Sequence, residues 1–446
     1  RQMQDEGIFP DVVTFTCILG ACGILGYLEF GEDVHAEVQK QGLLQKDIVL
    51  GTALVDMYAK GGMVEKARDL FDELSERDIV CWNALISGYA RCGLLEEASN
   101  CLSQMHDEAI TPDAITFACI VRACGNAESL KVGEQIHKEV YKRGLLEKDV
   151  VLNTALVDMY IKCGVMEKAL KVFKSLQTPD VIAWRTLISG FAQHGLTEEA
   201  FYFFRKMKDD GLSPDAIIFI CILKLCSCTG SLEIGEGLHH DINKQGLLEK
   251  DAILATTLVD MYAKCGLLVK AQEIFDQIHL KDLVSWNSLL AGYAQLGQAR
   301  NVLGLLFKMV SEGIEPDLLT FHVLLIACSH AGLVKEGQIL FNYMHFHHNL
   351  FPASEHYTCM VDIFSRSGHV EEAKNLVEKV HASDRLPLLM SLLGACQKWL
   401  DVELAERVFS QTLQLDETCG LAYVCMGNIY AAAGMHTEAE KVLSFP

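Results

Sequence analysis

Two histidine–glutamate triplets have the spacing in this sequence that most resembles an active site. The triplets 35–37 (His-Ala-Glu) and 137–139 (His-Lys-Glu) match the His-x-Glu motif of zinc-dependent nucleobase deaminases. That chemistry needs two cysteines to complete the zinc site, and no Cys-x-x-Cys occurs in the sequence. Both triplets also fall on predicted second helices of helix pairs. The sequence therefore predicts no catalytic residue.

Other residues that could bind a metal or a phosphate group are also poorly arranged. Cys226 and Cys228 are one residue apart, which is the wrong spacing for that zinc site, and His345, His347 and His348 are predicted to lie in a loop. The sequence contains no glycine-rich phosphate loop and no hydrolase nucleophile motif. We therefore expect no metal and no cofactor.

A tandem repeat of 102 residues organises the chain. The dipeptide Pro-Asp at 10–11 returns at 112–113, 214–215 and 316–317, and the segment 52–58 returns at 154–160 and, with one change, at 256–262. Trp82, Trp184 and Trp286 keep the same step. Self-similarity at a fixed period indicates a stack of structural units.

Each 102-residue unit divides into segments of 36, 31 and 35 residues, which are 12–47, 48–78 and 79–113 in the first unit. In 79–113 the pattern predicts a helix from Val80 to Arg91, a break at Gly93 and a second helix. Apolar residues of that second helix form one stripe, namely Leu95, Ala98, Leu102 and Met105. Such pairs bury their stripes by stacking, so we expect an all-α, right-handed α-solenoid of some twelve pairs.

Composition agrees with a folded, helical protein. Half of the residues are hydrophobic, 22% are charged and only 8 are proline, which excludes intrinsic disorder. No apolar stretch is long enough for a spanning helix, so we expect no membrane insertion. The 17 cysteines favour a reducing compartment, and the net charge is −21.

These lengths and phrases resemble the plant PLS class of pentatricopeptide repeat proteins, which have the helical fold of tetratricopeptide (TPR) repeats. The resemblance rests on Thr-Ala-Leu-Val-Asp-Met-Tyr-Ala-Lys at 52–60, Trp-Asn-Ala-Leu-Ile-Ser-Gly-Tyr at 82–89, and Pro-Asp before each 36-residue segment. It implies L, S and P repeats of 36, 31 and 35 residues. The implied order is a partial P-type repeat at 1–11, L-S-P triplets at 12–113, 114–215 and 216–317, final L-like and S-like repeats at 318–385, and a truncated E-like helical region at 386–446.

The resemblance implies that the fifth and last residues of each S or P repeat read one RNA base. In the family's rule, Thr with Asp favours G and Asn with Asp favours U, which gives 5′-GUNGNNGU-3′ for residues 48–317. Arg185 and Thr358 have no assigned base, and bases opposite L repeats stay open. The alternative role of the terminal aspartates is helix N-capping. The pairs are Thr52/Asp78, Asn83/Asp113, Thr154/Asp180, Arg185/Asp215, Thr256/Asp282 and Asn287/Asp317, followed by Thr358 with Arg385.

The second residue of each of these repeats is implied to sandwich the bases, and the alternative is ordinary core packing. These residues are Val49, Val80, Val151, Ile182, Ile253 and Val284.

Cations at the thirteenth position are predicted to form a ladder of phosphate contacts within an acidic protein. The alternative, compatible with the first, is a favourable interaction with the helix dipole at the end of each first helix. The residues are Lys60, Arg91, Lys162, Lys264 and Arg366.

The resemblance thus favours an RNA-binding adaptor in organelle RNA processing, in a mitochondrion or chloroplast. We expect this adaptor to bind single-stranded organellar RNA and to specify a C-to-U editing site. A DYW-type deaminase or other editing factors would bind through 386–446, because the deaminase domain is absent from this chain. Two alternatives remain: a TPR-like protein-interaction scaffold, whose uniform 34-residue repeats differ from the triplets seen here, and an editing enzyme whose catalytic domain follows Pro446.

Overall fold

The computed structural model describes residues 10–44, 47–147, 149–381 and 384–444. These residues form 26 α-helices and one short 3-10 helix at Leu145–Glu147, and no β-strand. The predicted all-α fold is therefore confirmed. Residues 1–9 of the proposed partial repeat lie outside the described residues.

The helices are numbered in chain order. They are α1 Val12–Leu25, α2 Leu28–Lys40, α3 Ile48–Lys60, α4 Val64–Glu73, α5 Ile79–Arg91, α6 Leu95–Asp107, α7 Ala114–Asn126, α8 Leu130–Lys142, α9 Val150–Lys162, α10 Met166–Ser175, α11 Val181–Gln193, α12 Thr197–Asp209, α13 Ala216–Thr229, α14 Leu232–Lys244, α15 Ala252–Lys264, α16 Leu268–Gln277, α17 Leu283–Gln295, α18 Ala299–Ser311, α19 Leu318–Ala331, α20 Val334–His348, α21 Ser354–Arg366, α22 Val370–Lys379, α23 Leu386–Trp399, α24 Val402–Leu415, α25 Gly420–Ala432 and α26 His436–Leu443.

The helices form antiparallel pairs, with an odd-numbered first helix and an even-numbered second helix. The chain divides into two compact units, 1–222 and 223–446. Within each unit, successive odd-numbered helices pack against one another, and each even-numbered helix packs on its own partner. Each unit is therefore an α-solenoid, as the repeat period predicts.

Aspartates start the first ten odd-numbered helices. In each case the carboxylate accepts a hydrogen bond from a backbone N–H of the first turn, for example Val49 N–H to Asp47 at 2.9 Å and Ala183 N–H to Asp180 at 2.8 Å. An N-cap of this kind satisfies an otherwise unpaired donor. The turn to the second helix places one residue in the left-handed region, such as Gly93 at φ 73°.

Tryptophans from the 102-residue repeat join successive pairs. Trp82, Trp184 and Trp286 are almost completely buried, and each ring meets a phenylalanine of the preceding even-numbered helix edge-on, with centroids 4.5 to 4.8 Å apart. Odd-numbered helices also approach closely: a Cβ on Gly88 would lie 2.7 Å from Ala59 Cβ. These contacts fix the register of one pair on the next.

The predicted stripe of α6 needs one correction. Ala98 and Met105 are buried as expected, but Leu95 and Leu102 are only half-buried, and Cys101 takes the central buried position. Cys101 faces the preceding pair, where Arg68 Nη1 lies 4.0 Å from its Sγ. Among the described helices, none combines the length and apolarity required to cross a bilayer.

Candidate nucleic-acid interface

The second residue of each S and P repeat is an exposed aliphatic side chain. Relative exposure lies between 52% and 68% for Val49, Val80, Val151, Ile182, Ile253 and Val284. Core packing therefore does not account for these residues. Because successive odd-numbered helices pack side by side, equivalent positions lie in a row within each unit.

The same row continues through the L repeats, which the sequence interpretation left open. Val13, Ile115, Ile217 and Leu319 occupy the second position of those repeats and are 53% to 67% exposed. The signal was available in the sequence, because these residues share the first-turn register of their helices.

The fifth and last residues meet in all three P repeats. Asn83 Nδ2 donates to Asp113 Oδ1 at 3.2 Å, and its Oδ1 accepts from the Thr116 hydroxyl at 2.7 Å. Asn287 repeats this arrangement with Asp317 at 3.2 Å and Thr320 at 2.8 Å. The juxtaposition of fifth and last residues is therefore common to the three P repeats.

The aspartates in these networks also cap the next helix. Asp113 Oδ1 accepts from Thr116 N–H at 2.8 Å, and Asp317 Oδ1 accepts from Thr320 N–H at the same distance. Among the described residues no hydrogen bond is recorded to Oδ2 of either aspartate. Capping thus uses one oxygen and leaves the second available as an acceptor.

Arg185 changes the network of its repeat. Its guanidinium donates to Asp215 Oδ2 at 3.0 Å, while Asp215 Oδ1 caps α13 through Ile218 N–H at 2.9 Å. Both carboxylate oxygens of Asp215 are therefore engaged. The remaining guanidinium donors, rather than the carboxylate, are what this repeat offers to a ligand.

The S repeats lack this contact. Thr154 donates back to the Val150 carbonyl at 2.7 Å, and Thr358 donates to the Ser354 carbonyl at 2.9 Å. Thr52 and Thr154 are half-buried, whereas Thr256 is only 9% exposed. The Thr256 side chain is therefore largely covered and does not face an open groove; its helix α15 packs against α17. Asp78, Asp180 and Asp282 each cap the following helix at 2.8 Å.

Four of the five proposed phosphate-binding cations carry an ion pair to an aspartate one turn earlier on the same helix. The pairs are Lys60 with Asp56 at 2.6 Å, Lys162 with Asp158 at 2.8 Å, Lys264 with Asp260 at 2.9 Å, and Arg366 with Asp362 at 2.8 Å. Arg91 is exposed, and no ion pair to it is recorded among the described residues. The sequence interpretation missed these aspartates.

The histidine–glutamate triplets have structural roles. His35 Nδ1 and the Tyr58 hydroxyl share a hydrogen bond of 2.9 Å, and His137 does the same with Tyr160 at 2.7 Å. The glutamates point elsewhere, since Glu139 accepts from Arg143 at 2.8 Å. His239, which has no His-x-Glu motif, forms an equivalent bond with Tyr262 at 2.9 Å.

Burial shifts the ionisation of this histidine–tyrosine cluster. It lowers the pKa of His35, His137 and His239, and it raises the pKa of Tyr160 and Tyr262 to about 12, with a smaller contribution from Glu134 and Glu236. A lysine on the second helix of the tyrosine's own pair lies over each tyrosine ring, 5.6 to 6.0 Å from its centroid, and is ion-paired to a glutamate of the preceding pair. The cluster joins L and S repeats.

The other candidate ligands do not converge either. His345, His347 and His348 lie in the last turn of α20 and not in a loop, because the helix continues to His348 and ends at Asn349 with φ 53°. No group of three or more potential ligands capable of holding a metal occurs among the described residues.

Comparison with known proteins identifies the family to which these repeats belong. Residues 77–126, 179–227 and 281–330 match the PPR repeat family, and 52–79, 154–178, 253–283 and 355–384 match the PPR repeat. The chain is 36% identical over 415 residues to a mitochondrial pentatricopeptide repeat-containing protein of Arabidopsis thaliana, covering 93% of this chain and 74% of that protein. A second mitochondrial protein of that plant, named as putative, is 35% identical over 441 residues, covering 99% and 73%.

A solved structure shares the fold. The crystal structure of the pentatricopeptide repeat protein PPR10 from maize matches with a TM-score of 0.53 at 20% identity, covering 99% of this chain and 74% of that one.

Proposed function

Since this chain belongs to the pentatricopeptide repeat family, we propose that it is a sequence-specific single-stranded RNA-binding adaptor in organelle RNA processing. It is a PLS-class protein with three L-S-P triplets between 12 and 317. Each proposed repeat from 12 to 385 holds one helix pair, and the proposed E-like region at 386–446 holds two.

The row of exposed second residues is the observation that carries this proposal. An aliphatic side chain on the first turn of a helix gains nothing from water, yet the position stays apolar in ten successive repeats from 12 to 353. Bases have apolar faces that stack on such side chains regardless of sequence. A base held between the second residues of two adjacent repeats explains why each of these repeats carries one exposed apolar residue at this position.

Selectivity comes from the polar pair beside each stacked base. Asn83 has two amide N–H groups, and its network with Asp113 and Thr116 uses one of them. The free N–H can donate to a carbonyl oxygen, and Asp113 Oδ2 can accept from a ring N–H. Uracil and guanine present that combination, whereas adenine and cytosine lack the ring N–H, so the network is compatible with the U that the family's rule assigns opposite this repeat and opposite the Asn287 repeat.

The proposed biological role is to specify a C-to-U editing site. The 386–446 region would bind a DYW-type deaminase or another editing factor. The protein acts in a mitochondrion or a chloroplast, and the two Arabidopsis relatives described above are named mitochondrial. Sequencing organellar transcripts of a plant line lacking the protein should reveal loss of C-to-U conversion beside a matching site. Unchanged editing at every site would contradict this role.

RNA binding itself is tested with 5′-GUAGAAGU-3′ and with versions in which each assigned G or U is replaced by C. Each replacement should cost about 1–3 kcal/mol, the usual penalty for one mismatched base. A TPR-like scaffold would show no preference among these RNAs at any salt concentration.

A pair of variants isolates the stacking row. Val151→Ser with Ile182→Ser should weaken binding of all these RNAs alike and leave the melting temperature nearly unchanged, because both side chains are exposed. Leu280→Ser is the matched control, since Leu280 is 86% exposed but lies between α16 and α17. Equal effects of the double variant and the control would contradict stacking at the second position.

A further inference from the structure

A pocket in the second unit lies between α21 and α23, beyond the repeats to which bases are assigned. Asp362, Ser365 and Arg366 line it from α21, and Met390, Ser391, Gly394, Ala395 and Lys398 line it from α23. We propose that this pocket binds the phosphate of one further RNA nucleotide, so that the first helix of the 386–446 region extends the RNA groove. This inference rests on the RNA-binding function proposed above.

Lys398 is the principal cation of the site. It is the thirteenth residue counted from Leu386, the position at which Lys60, Lys162 and Lys264 stand in their repeats. Its ammonium donates to the Arg366 carbonyl at 2.9 Å, and no carboxylate is recorded against it among the described residues. Unlike the paired lysines, Lys398 therefore offers an uncompensated positive charge to an anion.

Ser365 supplies a second, independent indication of a ligand. Its side chain is only 1% exposed, it lines the pocket, and its Oγ has no hydrogen-bond partner among the described residues. Several other helical serines donate to the carbonyl four residues earlier, as Ser189 does to Arg185 at 2.6 Å. A buried hydroxyl without a partner is costly, and a phosphate oxygen would accept its proton.

Asp362 is the carboxylate that faces the same pocket. It already accepts from Arg366 Nε at 2.9 Å and from the hydroxyl of Ser329. Its charge is therefore partly compensated, and the Arg366 guanidinium keeps donors that this pair does not use.

The pocket presents no side chain that could distinguish one base from another. Met390 holds the fifth position of this helix and carries no hydrogen-bonding group suited to a base edge. Arg385, just before the helix, is turned back to the carbonyls of Val380 at 2.7 Å and Glu378 at 2.9 Å. We therefore expect the additional nucleotide to bind through its phosphate with any base.

The test compares two RNAs with the full chain. The first, 5′-GUAGAAGUAA-3′, ends opposite the repeat at 354–385, and the second carries one more adenosine at its 3′ end. The longer RNA should bind several-fold more tightly, and its slope of log K against log salt should be steeper by about 0.7, the value for one additional phosphate contact. A uridine or cytidine in place of the added adenosine should bind equally well.

Two variants and one control assign the gain to the pocket. Lys398→Gln should abolish the gain and the added slope while leaving affinity for the shorter RNA unchanged. Ser365→Ala should reduce the gain without lowering the melting temperature, because it removes an unpartnered buried hydroxyl. Lys374→Gln is the control, since Lys374 lies on α22 outside the pocket.

Each outcome is decisive. An equal affinity for both RNAs, or a gain that survives Lys398→Gln in a folded protein, overturns the phosphate site and leaves the RNA-binding function standing. Failure of the shorter RNA to bind would instead contradict the proposed function itself.

Discussion

Lys264 Nζ lies 2.9 Å from Asp260 Oδ2, one helical turn earlier on α15. The arrangement recurs at Lys60 and at Lys162, so these lysines are already paired before any RNA arrives. A phosphate must compete with a carboxylate that is fixed in place. The proposed cation ladder is therefore weaker than a count of its cations suggests, and the aspartates set its strength.

Removing the three competing carboxylates should strengthen RNA binding. Exposed ion pairs four residues apart on a helix contribute about 0.3–0.5 kcal/mol each. Asp56→Asn, Asp158→Asn and Asp260→Asn together should therefore raise affinity about fivefold, which corresponds to about 1 kcal/mol. Titration of labelled 5′-GUAGAAGU-3′ at several salt concentrations measures both affinity and slope.

The control carries the same change of net charge on even-numbered helices. Asp69→Asn, Asp107→Asn and Asp209→Asn alter exposed residues away from the proposed groove. Replacing Lys60, Lys162 and Lys264 by Ala should flatten the salt slope by about 2 in the Asp→Asn background and by less in the natural protein. Equal gains from the two aspartate triples would show a general charge effect and refute specific competition.

The terminal aspartates should differ in their contribution to stability. Asp282 caps one N–H, that of Ser285 at 2.8 Å, so Asp282→Ala should cost about 1 kcal/mol. Asp317 accepts from Thr320 N–H and from Asn287 at 3.2 Å, and it shares the single proton of the Thr320 hydroxyl, 2.7 Å away, with Asn287 Oδ1. Because Thr320 and Asn287 are buried, Asp317→Ala should cost about 2–4 kcal/mol.

Hydrogen exchange of the amides that begin α17 and α19 measures the loss of local stability in Asp282→Ala and in Asp317→Ala. A local measurement is needed because a repeat array need not unfold as one unit. Burial would raise the pKa of Asp317, but hydrogen bonds from Thr320 and Asn287 hold that pKa below its ordinary value. The associated stability is therefore present above the unfolded pKa and is lost as pH falls through the folded one. Equal protection losses in the two variants would contradict the network.

The histidine–tyrosine clusters should make the protein sensitive to mild acid. Burial lowers the pKa of His35, His137 and His239, so the unfolded chain binds protons more readily than the folded one. Stability should therefore fall as pH drops below about 6.5, the ordinary histidine value. Replacing all three by Gln should flatten the dependence of melting temperature on pH between 7.5 and 5.5.

His194→Gln is the control for this dependence, because His194 is exposed at the end of α11. An unaltered pH profile in the triple variant would show that other groups cause the loss.

Some features could be predicted from the sequence because they depend on local spacing. The 102-residue step and the aspartate before each of the first ten odd-numbered helices are enough to predict those helix pairs. The Asp56–Lys60 pair was equally accessible, since four residues on a helix bring these side chains together. The sequence interpretation considered the cation alone and so overlooked its partner.

Other features depend on how one helix pair packs against the next. Valine at the second position is compatible with a core or with a surface, and only the packing of neighbouring helices shows that Val80 is exposed. The contact of Asn83 with Thr116 spans two pairs and depends on their register. The spacing of residues along the chain does not determine that register. For the same reason, the burial of Thr256 could not be predicted from the sequence.

The Thr256 repeat offers the sharpest test of base reading. If Thr256 with Asp282 reads G, then Thr256→Asn should move preference from G toward U at one nucleotide, by about 1–3 kcal/mol. The P-repeat network can be rebuilt there, because Ser285 holds the place that Thr320 holds beside Asn287. The Ser285 hydroxyl now donates to the Asp282 carbonyl at 2.7 Å and is the group that would turn toward the new amide.

The reciprocal variant is Asn287→Thr, which should move the next nucleotide from U toward G. It removes the partner of Asp317 and Thr320, so its melting temperature should fall more than that of Thr256→Asn. Binding to a four-base panel at both nucleotides, with melting curves of both variants, gives the readout. If aspartate capping were the whole role of these pairs, both variants would keep the original base preferences, and only stability would change.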